Sequence, residues 1–380
     1  MLLSAPFNAL HQRLWPQSSN DPPASDLNPL IEPPQLTKLV KTTPILADGG
    51  RPVRYIDLRA APELAIGELE IPLLIHANND CAAVPFVVQD EYLLLAGHIF
   101  AQVRSETPVG TRRLWNSFFV TGHQGIGKSF FAYYLLFRLL ALGQAVIFCS
   151  SVHEPAYLFD SNGARPTALA PQSKAAEEVL EGCWVILDID DAKEWEPPSK
   201  LATLAQCIVW TSPPYEERER HFRKRFGSQT WFMRTWDEWE IMAVSNQLSL
   251  DKTILERTAR LAGPVPRALW GIQMQQYDAS YELTLDSAIG AVLSHWQKTN
   301  AFDARYLRPE DVYSRYDAVL RLEPRPDKNT QASQRRNFSV HFVSPYVAQR
   351  ALALITRLHA VAPQLFGERL LRMVESLQPE

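Results

Sequence analysis

Between residues 113 and about 215 the chain alternates short, unbroken apolar runs with stretches of helical periodicity. The apolar runs are SFFVTG (117–122), AVIFCS (145–150), CWVILDIDD (183–191) and QCIVWTSPP (206–214). Between them, 129–142 is apolar at helical spacing and is followed by Gly143, and 174–180 is a shorter helical stretch. Apolar runs without polar alternation are strands buried on both faces, and helices between them cover a parallel sheet. AYLFDSNGARPTAL (156–169) reads as a hairpin turning at Asn162-Gly163.

The flanks carry other patterns. Residues 1–36 are rich in Pro, Ser, Asn and Asp and predict a disordered arm. Residues 37–112 mix short apolar runs with turns, then a helical stretch at DEYLLLAGHIFAQVR, which predicts a small α+β lead-in module. Residues 113–235 form the expected core, 236–300 a helical subdomain with helical patterns near 263–271 and 281–296, and 301–380 a mixed α/β region containing the strand FSVHFVS.

Composition narrows the class. The 380 residues are 46% hydrophobic and 21% charged, with net charge −4. That balance suits a soluble globular chain and argues against a generally basic nucleic-acid binder. Cys81, Cys149, Cys183 and Cys207 have no metal-ligand spacing and read as reduced, small hydrophobes. No run predicts a membrane span, and the first residues lack a signal-peptide pattern, so the expectation is an intracellular protein, cytoplasmic or nuclear.

The chemistry concentrates in GHQGIGKS, between the first strand and the first helix of the core. Gly122, Gly127, Lys128 and Ser129 match G-x-x-x-x-G-K-[ST]. Glycines let the backbone curl so that its N–H groups meet phosphate oxygens, and the helix dipole faces the same anion. Lysine reaches the β- and γ-phosphates, and the serine hydroxyl ligates Mg²⁺. The expected phosphate cradle is Gly122, His123, Gln124, Gly125, Ile126, Gly127, Lys128, Ser129 and Phe130, binding ATP with Mg²⁺.

Such a loop needs an acid on another strand. Asp188 is the first acid after the run Trp184–Leu187 and is the expected metal partner with Ser129; Asp190, and after it Asp191, is a candidate for orienting water. Ser212 ends the next strand where a polar group can sense the γ-phosphate. YEERERHFRKRF (215–226) reads as a solvated helix with i,i+4 pairs Glu217–His221 and Glu219–Arg223, with Arg223 or Arg225 as the alternative reach toward nucleic acid or a neighbour's nucleotide. Trp236 and Trp239 read as packing residues, and Arg267, after Pro266 at a helix start, as a nucleotide contact.

Five stretches in this order resemble the P-loop NTPase module of Crinkler effectors and retrotransposon hot spot proteins. They are TGHQGIGKSFFAYYLLFRLL, YLFDSNGA, CWVILDIDD, VWTSPPYEERERHFRKRFG leading to RTWDEWEIMAV, and RLAGPVPRALW; FSVHFVSPYVAQRAL also looks like the segment after that module. The resemblance implies a three-layer αβα ATPase core related to AAA+ and STAND proteins, followed by a helical lid. In it Lys128 and Ser129 are the phosphate and magnesium residues, Asp188 the second acid, and Arg267 the Gly-x-x-Pro-Arg arginine of the lid. Neither the leader pattern of secreted Crinklers nor an Asp…Glu-x-Lys nuclease core is evident in the sequence, so effector and nuclease activity are not expected. The resulting expectation is a Mg-dependent ATPase that drives or switches a conformational change, with homo-oligomers and a protein or nucleic-acid partner as its associations. The alternatives are an ATP-dependent binding switch with little turnover and a P-loop phosphotransferase.

Overall fold

A computed structural model of the chain describes residues 4–16, 33–42, 52–56, 75–77, 80–82, 86–104, 116–189, 195–247, 252–267, 269, 279–299, 312, 317–324 and 338–361. Before the core come helices α1 (Ser4–Leu14), α2 (Pro34–Thr37) and α3 (Asp90–Arg104), and short strands β1 (Val40–Thr42), β2 (Arg54–Ile56), β3 (Ile75–Ala77), β4 (Asp80–Ala82) and β5 (Phe86–Val88). β1, β2 and β5 pair into a small antiparallel sheet.

The core sheet uses β6 (Ser117–Gly122), β7 (Val146–Cys149), β8 (Ala156–Asp160), β9 (Gly163–Thr167), β10 (Trp184–Asp188), β11 (Cys207–Thr211) and β12 (Gln229–Met233). Their spatial order is β12-β6-β11-β10-β7-β8-β9. The first five are parallel. β8 and β9 then run as an antiparallel hairpin on β7, with Asp160 opposite Gly163. Its two-residue turn is Ser161-Asn162, one residue earlier than expected, and Gly163 takes φ +107°. β12 was not among the expected strands: QTWFM follows a charged helix and pairs with β6 on the side away from β11.

Helix α4 (Lys128–Ala141) is buried at every position from Phe131 to Ala141. An all-round apolar helix must be covered on both sides. One side meets the sheet and the other meets α1, α2 and α3. Phe86 packs on Phe130 and Phe137 at ring distances of 5.2 and 5.6 Å, and Tyr92 on Phe131 at 5.8 Å. The lead-in thus shares one core with the P-loop helix. The opposite face of the sheet is covered by α5 (Lys174–Leu180), α6 (Leu201–Leu204) and α7 (Glu216–Phe226), with Leu180, Leu201, Phe222 and Phe226 packed against Val185, Ile208 and Trp210. The core is therefore three layers with a mostly parallel central sheet.

Two expectations change. Within the arm expected over 1–36, Ser4–Leu14 is a helix whose Phe7, Leu10 and Leu14 are buried in the core. Phe7 stacks on Tyr157 at 4.1 Å, and Asn8 Oδ1 accepts from Ala164 N–H at 3.1 Å. The apolar positions that dock it were outweighed in the sequence by the polar composition that follows. The helical subdomain also divides differently. α8 (Glu238–Gln247) and α9 (Lys252–Ala262) pack with Trp236, Leu269, Val53 and Val87. α10 (Ala279–Thr299) instead joins the antiparallel pair β13 (Leu320–Pro324) and β14 (Phe338–Phe342) and helix α11 (Pro345–Val361) around a separate cluster containing Leu285, Ile289, Leu322 and Val347.

Among the described residues no helix is long and apolar enough to cross a membrane, and no group of three or more His, Cys, Asp or Glu is placed to hold a metal ion by itself. Cys149, Cys183 and Cys207 are buried thiols, and those of Cys149 and Cys183 donate to the carbonyls of Ser151 and Val179.

Candidate phosphate-binding site

The loop between β6 and α4 is shaped by three glycines with positive φ: Gly122 at +146°, Gly125 at +74° and Gly127 at +103°. L side chains are disfavoured there, and space forbids them as well. A Cβ on Gly122 would lie 2.8 Å from Met233 O, one on Gly125 2.5 Å from Arg267 Cβ, and one on Gly127 2.3 Å from Tyr92 Oη. Gly127 is the N-cap of α4 and supplies no side-chain cap, so no side chain of its own competes for the first N–H groups of that helix. Lys128 Nζ donates to the carbonyls of Gly122 at 3.3 Å and His123 at 2.8 Å, which places the ammonium at the loop's first residues.

The outer side of the loop is held by three donors from distant parts of the chain. Gln89 Nε2 donates to Ile126 O at 3.1 Å, Trp236 Nε1 donates to the same carbonyl at 2.9 Å, and Tyr92 Oη donates to Gly127 O at 2.8 Å. In a trans peptide the N–H points away from the C=O, so these bonds turn the N–H groups of Gly127 and Lys128 away from the three donors. Gln89 and Tyr92 come from the start of α3. Trp236 follows Arg234, whose guanidinium makes a two-pronged pair with buried Glu240 at 2.8 and 2.9 Å. Trp231 Nε1 in turn donates to buried Glu91 Oε1 at 2.9 Å.

His123 is 1% exposed, and among the described residues its Nδ1 has no hydrogen-bond partner. Burial, aided by the charges of Lys128 and Arg321, pushes its pKa down to about 3, so the imidazole is neutral at ordinary pH. Ile126 is buried, Gln124 half-buried, Ser129 exposed on the first turn of α4, and Phe130 half-buried against Phe86.

Register brings the acid to the same end of the sheet. Asp188 pairs with Thr211, and Thr211 pairs with Val120, two residues before Gly122. Asp188 Oδ1 accepts from Thr211 Oγ1 at 2.5 Å. β11 stands between the loop's strand and the acid's strand, so loop and acid are about two strand spacings apart, roughly 9–10 Å. Asp190 and Asp191 lie outside the described residues.

Ser212 is buried, and its Oγ accepts from Arg218 at 2.7 Å. Arg218 also donates to Ile189 O at 3.1 Å and lies over the rings of Trp210 and Tyr215 at 5.3 and 5.1 Å. It is thus the inward residue of the charged run. Glu219–Arg223 forms as expected at 3.4 Å, but His221 pairs with Glu196 at 2.8 Å, as does Arg225. Arg267 is exposed and lies against Gly125. The structure therefore gathers the loop, Asp188, Ser212 and Arg267 at one end of the sheet.

Gln89, Tyr92, Arg218 and Arg321 were not sequence candidates, and Trp236 was read only as packing. The single available signal was the tryptophan beside a charged turn; the others act across long sequence separations.

No protein-family model matches the chain, and no curated protein matches it either. Among solved structures, AMPPCP-bound DnaA from Aquifex aeolicus is similar over 76% of this chain and 88% of that one, at 11% identity and a TM-score of 0.34.

Proposed function

We propose that this chain is an ATP-binding P-loop NTPase in which nucleotide binding, and hydrolysis with Mg²⁺, drives or switches a conformational change. The observation that carries the reading is the loop itself. Three positive-φ glycines curl over an N-terminus whose N-cap offers no side-chain acceptor, with Lys128 at its mouth. That is an anion cradle with a fixed positive charge.

The residues fit a divalent cation. Ser129 offers a hydroxyl at the start of α4, and Asp188 a carboxylate at the same end of the sheet, held as an acceptor by Thr211. When bound, the cation neutralises charge across the β- and γ-oxygens. The chain's own part is positioning: the outside clamp from Gln89, Tyr92 and Trp236 keeps the N–H groups aimed inward before the phosphates arrive, which lowers the cost of binding. Asp190 remains the proposed water-orienting residue and Arg267 the lid's phosphate contact.

Trp236 donates to the loop carbonyl of Ile126, and Arg267 touches Gly125, so the helical subdomain meets the cradle at two points. We propose further, from the order of the five stretches, that the chain is a member of the Crinkler and retrotransposon hot spot module.

Calorimetric titration with Mg-ATP tests the reading. Lys128→Ala should weaken ATP by at least about tenfold, the effect of losing one charge-assisted contact to phosphate. Undiminished affinity would overturn the assignment.

A further inference from the structure

The C-terminal hairpin β13–β14 lies against the end of the sheet that carries the cradle, next to β6 and β12. It is fixed there by polar and aromatic contacts. Glu323 accepts from the backbone N–H of Thr235 at 3.2 Å and from the Thr235 hydroxyl. Phe338 packs on Phe232 at a ring distance of 5.2 Å. Beyond it, a side chain on Gly263 would collide with Val343 O, so the hairpin's exit is also seated on the helical subdomain.

This seating puts Arg321, opposite His341 in the hairpin register, on the strand that neighbours β6 and β12. Its side chain is only 20% exposed, and its Nε lies 3.6 Å from Glu323 Oε1, too far for a hydrogen bond. Among the described residues its buried Nε has no hydrogen-bond partner. A guanidinium held mostly out of water, whose buried Nε has a carboxylate only beyond hydrogen-bond reach, is stabilised by an anion that completes it. Its charge acts on His123 of the loop and on His341 of the hairpin.

The position along a nucleotide follows from Lys128. In this loop type the lysine marks the β- and γ-phosphates. Here its ammonium lies on the carbonyls of Gly122 and His123, not at the C-terminal side of the loop. The terminal phosphate therefore belongs beside His123, the loop residue on which the charge of Arg321 acts.

We propose that Arg321 is a binding residue for the terminal phosphate of a nucleoside triphosphate, so that the C-terminal hairpin forms a wall of the nucleotide site and is tightened by triphosphate. The inference rests on the nucleotide-binding reading above and deepens it. A diphosphate reaches Lys128 and the helix N-terminus but leaves Arg321 uncontacted.

The test is calorimetry of the full chain with Mg-ATP and Mg-ADP, comparing wild type with Arg321→Gln and Arg321→Lys. Arg321→Gln should weaken ATP by about ten- to a hundredfold and ADP by less than about threefold, with Arg321→Lys intermediate for ATP. Equal losses for both nucleotides, or no loss for ATP, would overturn the proposal and leave the cradle reading standing. Binding of neither nucleotide by the wild type would overturn both. Hydrogen exchange on the unsubstituted protein decides the matter if the variants fail to fold: ATP should slow exchange in 317–324 more than ADP does, and equal protection refutes the role.

Discussion

The clamp on the outside of the loop makes a prediction about non-additivity. Tyr92→Phe removes the hydroxyl that donates to Gly127 O at 2.8 Å and leaves the ring in place against Phe131 and Tyr134. No buried group is stranded: Gly127 O still accepts from Phe131 N–H at 2.9 Å, and Gln89 Nε2 still donates to Ile126 O at 3.1 Å. The cost should be that of one ordinary hydrogen bond, about 1 kcal/mol. Gly127→Ala is worse. Its Cβ would lie 2.3 Å from Tyr92 Oη, on a backbone with φ +103°. Overpacking in a tight site costs ~1–3 kcal/mol and a left-handed L residue ~1–2 kcal/mol, so about 3 kcal/mol is expected in all. Once the hydroxyl is gone, the nearest remaining atoms are Gln89 Nε2 at 3.4 Å and Tyr92 Cζ at 3.5 Å, which is close to ordinary contact. Gly127→Ala should then cost little beyond its backbone strain. The double variant should lose about 2 kcal/mol where independent sites would lose about 4, a coupling near 2 kcal/mol. Urea unfolding of the four proteins, followed by circular dichroism and extrapolated linearly, reads this directly. Additivity within about 0.5 kcal/mol would refute the claim that Tyr92 fills the space a side chain at 127 would need.

Two further outcomes are expected. Thr211→Val keeps the shape of β11 but removes the donor to Asp188 Oδ1, so phosphate release at saturating ATP should fall by about tenfold while ATP affinity stays within about twofold; parallel loss of binding in calorimetry would show that Thr211 only holds the sheet. The Arg165 pair lowers the pKa of Asp160 below its unfolded value, so its contribution to stability is present above about pH 4 and is lost as pH falls through the lower folded value. Asp160→Asn should therefore reduce the melting temperature at neutral pH and flatten its decline in acid, and an unaltered acid limb would count against the pair.

The central layer was readable because its signals are local. SFFVTG, AVIFCS and WVILD are unbroken apolar runs, and GHQGIGKS carries its own turn chemistry in eight residues. β12 escaped because QTWFM is short and follows a helix in which charge dominates. Arg218 escaped for the same reason: in EERERHFRKRF nothing marks which arginine turns inward until Trp210 and Tyr215 are seen to sandwich it. The clamp was hidden by distance, since Gln89 and Trp236 lie 37 and 110 residues from the carbonyl they share. Neither donor sits in a pattern of its own; the pair exists only once α3 and the residues after β12 converge on the loop.

The seat of α1 on the β8–β9 hairpin has a consequence for the order of assembly. His11 Nε2 bonds Asp160 O across 149 residues, and Asn8 bonds Ala164 across 156. At roughly 5–20 residues per second of synthesis, the helix waits on the order of 8–30 s before its partners exist. Until α4 and then the hairpin emerge, Phe7, Leu10 and Leu14 lack their native cover. An eleven-residue helix is marginal in water by itself, so this segment emerges early and is ordered late. Its docking closes a long chain loop and belongs to the final steps of folding. Substitutions at Phe7 or Leu10 should then speed unfolding while leaving the rate of folding nearly unchanged.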